Sequence, residues 1–275
     1  MPYTLAILSG GGGVGKTTLC AALGARLAAA GRRVLVVDCC AGFRRLDMAL
    51  GMESRVLFDA ADAACGVCEP QRAVVRDSTR MLPDLLAAPF DADTHPDEDL
   101  WARMLSELRG GYDWIAFDAP AGTGVWSMLP ARLADRAYIV LTPDDGSMRC
   151  AGRVLDCLRA EGLDRVHPPS LIVNRCDLSL MRENLQYAPG TVAQTLDAAV
   201  AGVVPEDEGL RLAYARAELD GMDSRSRIVM ELDALARRTM GAPIPKGWEY
   251  TPPGARMLRL GLRGGGGASL KEVWT

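Results

Sequence analysis

Residues Gly10 to Thr17 run Gly-Gly-Gly-Gly-Val-Gly-Lys-Thr, which satisfies G-x-x-x-x-G-K-[ST], the spacing of a loop that wraps a polyphosphate. Its flanks fit that geometry. Thr4-Leu5-Ala6-Ile7-Leu8 is an apolar run of strand length, and Thr17 to Ala30 is an Ala/Leu-rich helical stretch ending at Gly31. Strand before and helix after argue against a chance Gly-rich turn. The glycines let the backbone curl so that its N–H groups point inward, and the positive end of the new helix adds to that field. Gly10, Gly12, Gly13, Val14, Gly15, Lys16, Thr17 and Thr18 are therefore candidate nucleotide-binding residues. Lys16 is the candidate for the outer phosphates and the Thr17 hydroxyl for Mg²⁺.

The chain has 275 residues, enough for one large α/β domain or one domain with a tail, and 49% of them are hydrophobic, enough for a sizeable core. Net charge is −4 with Lys and Arg scattered, so a surface built for phosphate backbones, and DNA as a partner, are not expected. No apolar run approaches the roughly 18 residues of a spanning helix. The N-terminus runs straight into the first strand, without a basic leader, so a cytoplasmic protein is expected. The eight cysteines follow no repeated spacing, Cys65-Gly-Val-Cys68 stands alone, and the two histidines are His95 and His167. With no second ligand pair, a zinc or cluster site is not expected, and the thiols read as reduced and mostly buried.

Strand-like runs recur at Val34–Val37, Trp114–Phe117, Tyr138–Leu141, Leu171–Val173 and Ala201–Val204. Amphipathic helical stretches between them include Asp97–Leu108, Met148–Ala160 and Arg225–Thr239. This alternation predicts an α/β fold of three layers, a mostly parallel sheet with helices on both faces and ligands at the carboxyl ends of the strands. Trp114-Ile115-Ala116-Phe117-Asp118 is an apolar strand ending in a carboxylate, the form of an aspartate that holds Mg²⁺ beside a phosphate loop. Ala119-Pro120-Ala121-Gly122 supplies a turn able to sense a γ-phosphate. Composition shifts after Met240, so the nucleotide domain is expected over residues 1–241, with a Pro/Gly-rich linker and tail over 242–275.

Residues 1 to about 241 resemble the MinD branch of the MinD/ParA family, the deviant Walker A ATPases of the P-loop NTPase fold. The likeness runs through Ser9–Thr18, Val36-Val37-Asp38, Ala41-Gly42-Phe43-Arg44-Arg45-Leu46-Asp47 and Asp118–Gly122. It continues through Thr142-Pro143, Ser147, Arg149, Asn174-Arg175 and Gly202–Asp207, and the stretch Leu46–Asp77 looks more like MinD than ParA. The resemblance implies an ATP-dependent homodimer on the inner membrane that places the division septum. Its implied partners are the division inhibitor MinC and a topological factor such as MinE. By matching position, Asn174 reads the adenine edge, Pro205 to Asp207 line the base pocket, and Asp38 lies near the metal and the attacking water. A flagellar-placement ATPase, a ParA-like partitioning ATPase or a non-hydrolysing scaffold are the other readings of these motifs.

Two departures stand out. The family's signature lysine, which reaches across the dimer to the partner's phosphates, is here Gly11. A lysine–phosphate contact in a partly desolvated interface is worth about 1.5–3 kcal/mol. The family's aspartate two residues after Asp38, which orients the attacking water, is here Cys40. A thiol of reference pKa about 8.5 accepts weakly at neutral pH. General-base assistance contributes typically about 10²–10⁴-fold. Both losses predict weak or absent ATP hydrolysis with binding retained, so Lys16 and Asp38 remain the candidate catalytic residues on a degenerate site.

MinD-like tails form an amphipathic helix in the membrane surface. The candidate here is Ala255–Arg263, in which Arg256, Arg259 and Arg263 share one arc of a helical wheel and Met257, Leu258, Leu260 and Leu262 the opposite one. That arrangement suits an anionic lipid surface and peripheral attachment to the inner membrane. Its two-turn length and Gly261 suit a disordered basic tail equally well.

Overall fold

A computed structural model describes residues 2–79, 81–164 and 167–243. The candidate membrane segment from Ala255 to Arg263 and the glycine run after it lie outside the described residues. The strands are β1 (Tyr3–Leu8), β2 (Val34–Asp38), β3 (Val74–Val75), β4 (Asp84–Leu86), β5 (Trp114–Asp118), β6 (Arg136–Leu141), β7 (Ser170–Cys176) and β8 (Val200–Pro205). They form one sheet in the order β3-β4-β2-β5-β1-β6-β7-β8. Every neighbouring pair is parallel except β3–β4, a short antiparallel edge that the sequence pattern does not announce.

The helices are α1 (Lys16–Ala29), α2 (Leu46–Ala49), α3 (Ala60–Ala64), α4 (Pro70–Ala73), α5 (Glu98–Leu108) and α6 (Val125–Leu133). They continue with α7 (Asp145–Ala160), α8 (Leu178–Arg182), α9 (Pro189–Leu196), α10 (Glu208–Arg216) and α11 (Arg227–Thr239). Among the described residues no helix is long and apolar enough to cross a membrane.

The central strands are continuous apolar runs because helices cover both of their faces. Leu5 and Ile7 of β1, Val34 and Val36 of β2, and Ala116 of β5 pack on one side with α1, α10 and α11. The alternate residues Ala6, Leu8, Leu35, Val37, Ile115 and Phe117 face the other side, against α5, α6, α7 and α9. Helix α1 is apolar nearly all round, since it lies between the sheet and α11; Arg26 on its outer edge pairs with Asp233 at 2.6 Å. The three-layer α/β architecture expected from the alternation is the one observed.

The chain reverses its direction of winding at β1. Its neighbours are β5 on one side and β6 on the other, so a crevice opens at the carboxyl end of β1. The glycine loop between β1 and α1 occupies that position, and the β2–β5 register sets Asp38 directly beside Asp118 there.

Candidate nucleotide site

The loop from Ser9 to Thr18 is held by close packing at two glycines. A Cβ on Gly10 would stand 2.0 Å from the carbonyl oxygen of Cys150, so the loop lies flat on the first turns of α7. Gly15 is left-handed (φ 92°), and a Cβ there would meet Nδ2 of Asn174 at 2.4 Å. Helix α1 starts immediately afterwards, its first bond running from Leu19 N–H to Gly15 C=O. No side chain caps it and no acid sits in its first turn, which leaves its opening N–H groups to an anion. Gly12 and Gly13 line the exposed crest of the same loop, and Val14 is buried beneath it.

Lys16 is buried, and its Nζ donates to Ser9 Oγ at 2.7 Å; Ser9 in turn donates to the carbonyl of Gly11 at 2.6 Å. Burial lowers the Lys16 pKa, while the nearby Asp118 and Cys40 act to raise it. The ammonium is thus parked on a neutral hydroxyl inside the loop. Ser9 is a site residue to which the motif gave no role; its only sequence signal is a hydroxyl one position before the first loop glycine.

Both oxygens of Asp38 hold backbone, accepting from Cys40 N–H at 2.8 Å and Leu46 N–H at 3.2 Å. Burial pushes its carboxyl up to about 6 against the opposing effect of those bonds. Asp118 is fully buried, and neither of its oxygens has a hydrogen-bond partner among the described residues. Burial first, and Asp38 next, push its carboxyl up to about 7; Thr17 and Lys16 lie close enough to favour the charged form, although the Thr17 hydroxyl falls short of hydrogen-bond geometry. An orphaned buried carboxylate beside a hydroxyl, at the mouth of a phosphate loop, is a donor set that suits Mg²⁺.

Gly11 and Cys40 differ in their surroundings. A Cβ on Gly11 would find nothing nearer than Cys150 Cβ at 4.0 Å, so the position offers neither a cation nor an obstacle to one. Cys40 is half-buried with Sγ 3.9 Å from the Asp118 carbonyl oxygen, and burial, with Asp118 and Asp38 adding to it, pushes its thiol far up. Its sulfur is therefore neutral at physiological pH and a poor acceptor of a water proton.

The remaining sequence candidates fall on the β7–β8 side of the loop. Asn174, buried on β7, donates from Nδ2 to the Val14 carbonyl at 2.7 Å, so it braces the phosphate loop from below. Pro205 ends β8, and Asp207 caps α10 by accepting from Leu210 N–H at 2.8 Å. On the opposite side, the turn after β5 is tied to the loop by Gly122 N–H donating to Ser9 C=O at 2.8 Å. The eight cysteines are free thiols, of which Cys20, Cys39, Cys68 and Cys176 are buried and Cys65 is exposed.

Comparison with known proteins agrees with this geometry. A family model described as the CobQ/CobB/MinD/ParA nucleotide binding domain matches residues 5–219. The septum site-determining protein MinD of Bacillus subtilis (strain 168) is 33% identical over 249 residues, 89% of this chain and 91% of that protein. In the MinC:MinD cell division protein complex of Aquifex aeolicus, a chain 33% identical superposes with a TM-score of 0.80, covering 90% of this chain and 98% of its own length. The septum site-determining protein MinD of Pyrococcus horikoshii OT3, solved with Mg-ADP, shares the fold at 24% identity with a TM-score of 0.76, over 87% of this chain and 96% of that one. The chain belongs to the CobQ/CobB/MinD/ParA nucleotide-binding family, on its MinD branch.

Proposed function

We propose that this chain binds ATP with Mg²⁺, pairs with a second copy around the bound nucleotides and recruits a MinC-like division inhibitor to place the septum, with ATP hydrolysis slow or lost. One observation carries this reading: the glycine loop opens on an uncapped helix start beside a buried Lys16, while positions 11 and 40 hold neither a cation nor a base. Lys16 exchanges its contact with Ser9 for the outer phosphates, and the uncapped start of α1 receives the phosphate oxygens. Thr17 and Asp118 would hold Mg²⁺, which supplies neutralisation of the phosphate charge. Asp38, each of whose oxygens accepts one backbone N–H, shapes the loop that carries Cys40. Asn174 and the Pro205–Asp207 edge take the base.

Dimer closure brings two sets of phosphates together without the signature lysine, so the pairing is weaker than in relatives that have it. A MinE-like or other topological factor would reset the cycle. The site of action is the cytoplasm, with peripheral attachment to anionic lipid of the inner membrane through Arg256, Arg259 and Arg263 of the tail. Sedimentation velocity with and without ATP and Mg²⁺, in the presence of a labelled MinC-like inhibitor, tests the reading. Co-migration that needs the nucleotide is the expected result; co-migration indifferent to it, or none, overturns the reading.

A further inference from the structure

Cys40 places a sulfur beside the two buried carboxylates of Asp38 and Asp118. One ligand atom each from Asp38, Cys40 and Asp118 lie within 4.8 Å of one another at the paired ends of β2 and β5. Asp118 contributes a carboxylate that is 0% exposed and has no hydrogen-bond partner on either oxygen among the described residues. Asp38 spends one lone-pair direction of each oxygen on backbone N–H groups and keeps the other. Two carboxylates and a thiol are a mixed oxygen–sulfur set. Mg²⁺ takes oxygen ligands and leaves sulfur aside, whereas Zn²⁺ accepts both in a tetrahedral site.

We infer that Asp38, Cys40 and Asp118 form a site for a thiophilic divalent cation of the zinc class, which competes with Mg²⁺ for Asp118. Three protein ligands leave a fourth position for water or a phosphate oxygen. Tetrahedral Zn²⁺ bonds of about 2.0–2.3 Å place the ligand atoms about 3.5 Å apart, so the trio must draw in by about 1 Å. Rotation about the side chain of Cys40, half-buried between β2 and α2, is the movement that would draw the trio in. Lys16 and Arg45 are the cations whose charge reaches this cluster, and Lys16 Nζ is hydrogen-bonded to Ser9. Binding releases the Cys40 proton to solvent as the sulfur becomes a metal-bound thiolate. Competition with Mg²⁺ rests on the reading of this crevice as a nucleotide site; the metal site itself does not.

The test is a Co²⁺ titration of the full chain without nucleotide, reading thiolate-to-cobalt charge-transfer absorption in the near ultraviolet. Wild type should give a saturable band that Zn²⁺ displaces at far lower concentration than Mg²⁺. Cys40→Ser should abolish the band, and Asp118→Asn should weaken Co²⁺ affinity by about tenfold or more, while Cys65→Ser/Cys68→Ser should leave it unchanged. Circular dichroism of each variant confirms that it folds. Absence of the band in wild type, its persistence in Cys40→Ser, or its loss in Cys65→Ser/Cys68→Ser overturns the proposal. Because ATP is absent throughout, a failure of nucleotide binding and a failure of the metal site are read separately.

Discussion

Lys16 Nζ rests 2.7 Å from Ser9 Oγ, so the loop's buried cation is held on a hydroxyl that itself donates to the loop carbonyl of Gly11. Removing that hydroxyl leaves a buried ammonium short of an acceptor, a loss of about 1–3 kcal/mol. For a chain of this size each 1 kcal/mol is about 2–4 °C in Tm. Ser9→Ala should therefore melt several degrees lower than wild type without nucleotide. With ATP and Mg²⁺ the gap should narrow, since Lys16 then has phosphate for a partner. A thermal-shift comparison checks both halves, and an undiminished gap with ATP would contradict the exchange of partners.

The adjacent glycines 10 and 11 should respond oppositely to a side chain. A Cβ at Gly10 collides with the Cys150 backbone, whereas one at Gly11 meets nothing closer than 4.0 Å. Gly10→Ala is expected to destabilise by about 2 kcal/mol or more through forced backbone movement. Gly11→Lys should stay within about 0.5 kcal/mol of wild type, as for an open surface position. Urea unfolding midpoints decide the matter; a Gly11→Lys variant as impaired as Gly10→Ala would show that the loop tolerates no side chain at either position.

Stability without metal should fall as pH rises through the Asp38–Asp118 pair. Burial raises both carboxyls above their unfolded values, to about 6 and about 7. A raised folded pKa means that the folded state binds the proton more tightly. Its stabilising contribution is fully present below the unfolded carboxylate pKa and is lost as pH climbs through about 6 to 7. Asp118→Asn removes one of the two charges. Relative to wild type it should gain stability at about pH 8 and gain little at about pH 4. Denaturant titrations across that window, in chelator, measure the difference; a constant gap at all pH values would contradict it.

The parts of the fold legible in the sequence are those with a local signal. Continuous apolar runs such as Leu5–Leu8 and Trp114–Phe117 are central strands buried on both faces, and the strand ends at Asp38 and Asp118 follow from them. The edge pair β3–β4 was not legible: two and three residues carry no period, and Asp77, Pro83 and Asp84 around them read as turn. Helix α6 hides behind Gly124 at its start and Pro130 within it, both of which read as breakers. In the site, the glycine loop after β1 and the buried carboxylate that ends β5 were visible as motifs. The brace from Asn174 to Val14 joins positions 160 apart in the chain and the support of Lys16 by Ser9 is a side-chain contact, so neither leaves a trace in spacing.

On the proposed function, ATP binding at the glycine loop is uncoupled from hydrolysis by what positions 11 and 40 lack. Equilibrium ATP binding and phosphate release, measured together on wild type and on Gly11→Lys/Cys40→Asp, test it most directly. Wild type should bind ATP with Mg²⁺ and release phosphate negligibly, and the double variant should turn over about 10²-fold faster or more. Wild-type turnover equal to that of the double variant would contradict slow or lost hydrolysis and would mean that other groups supply the charge and the base.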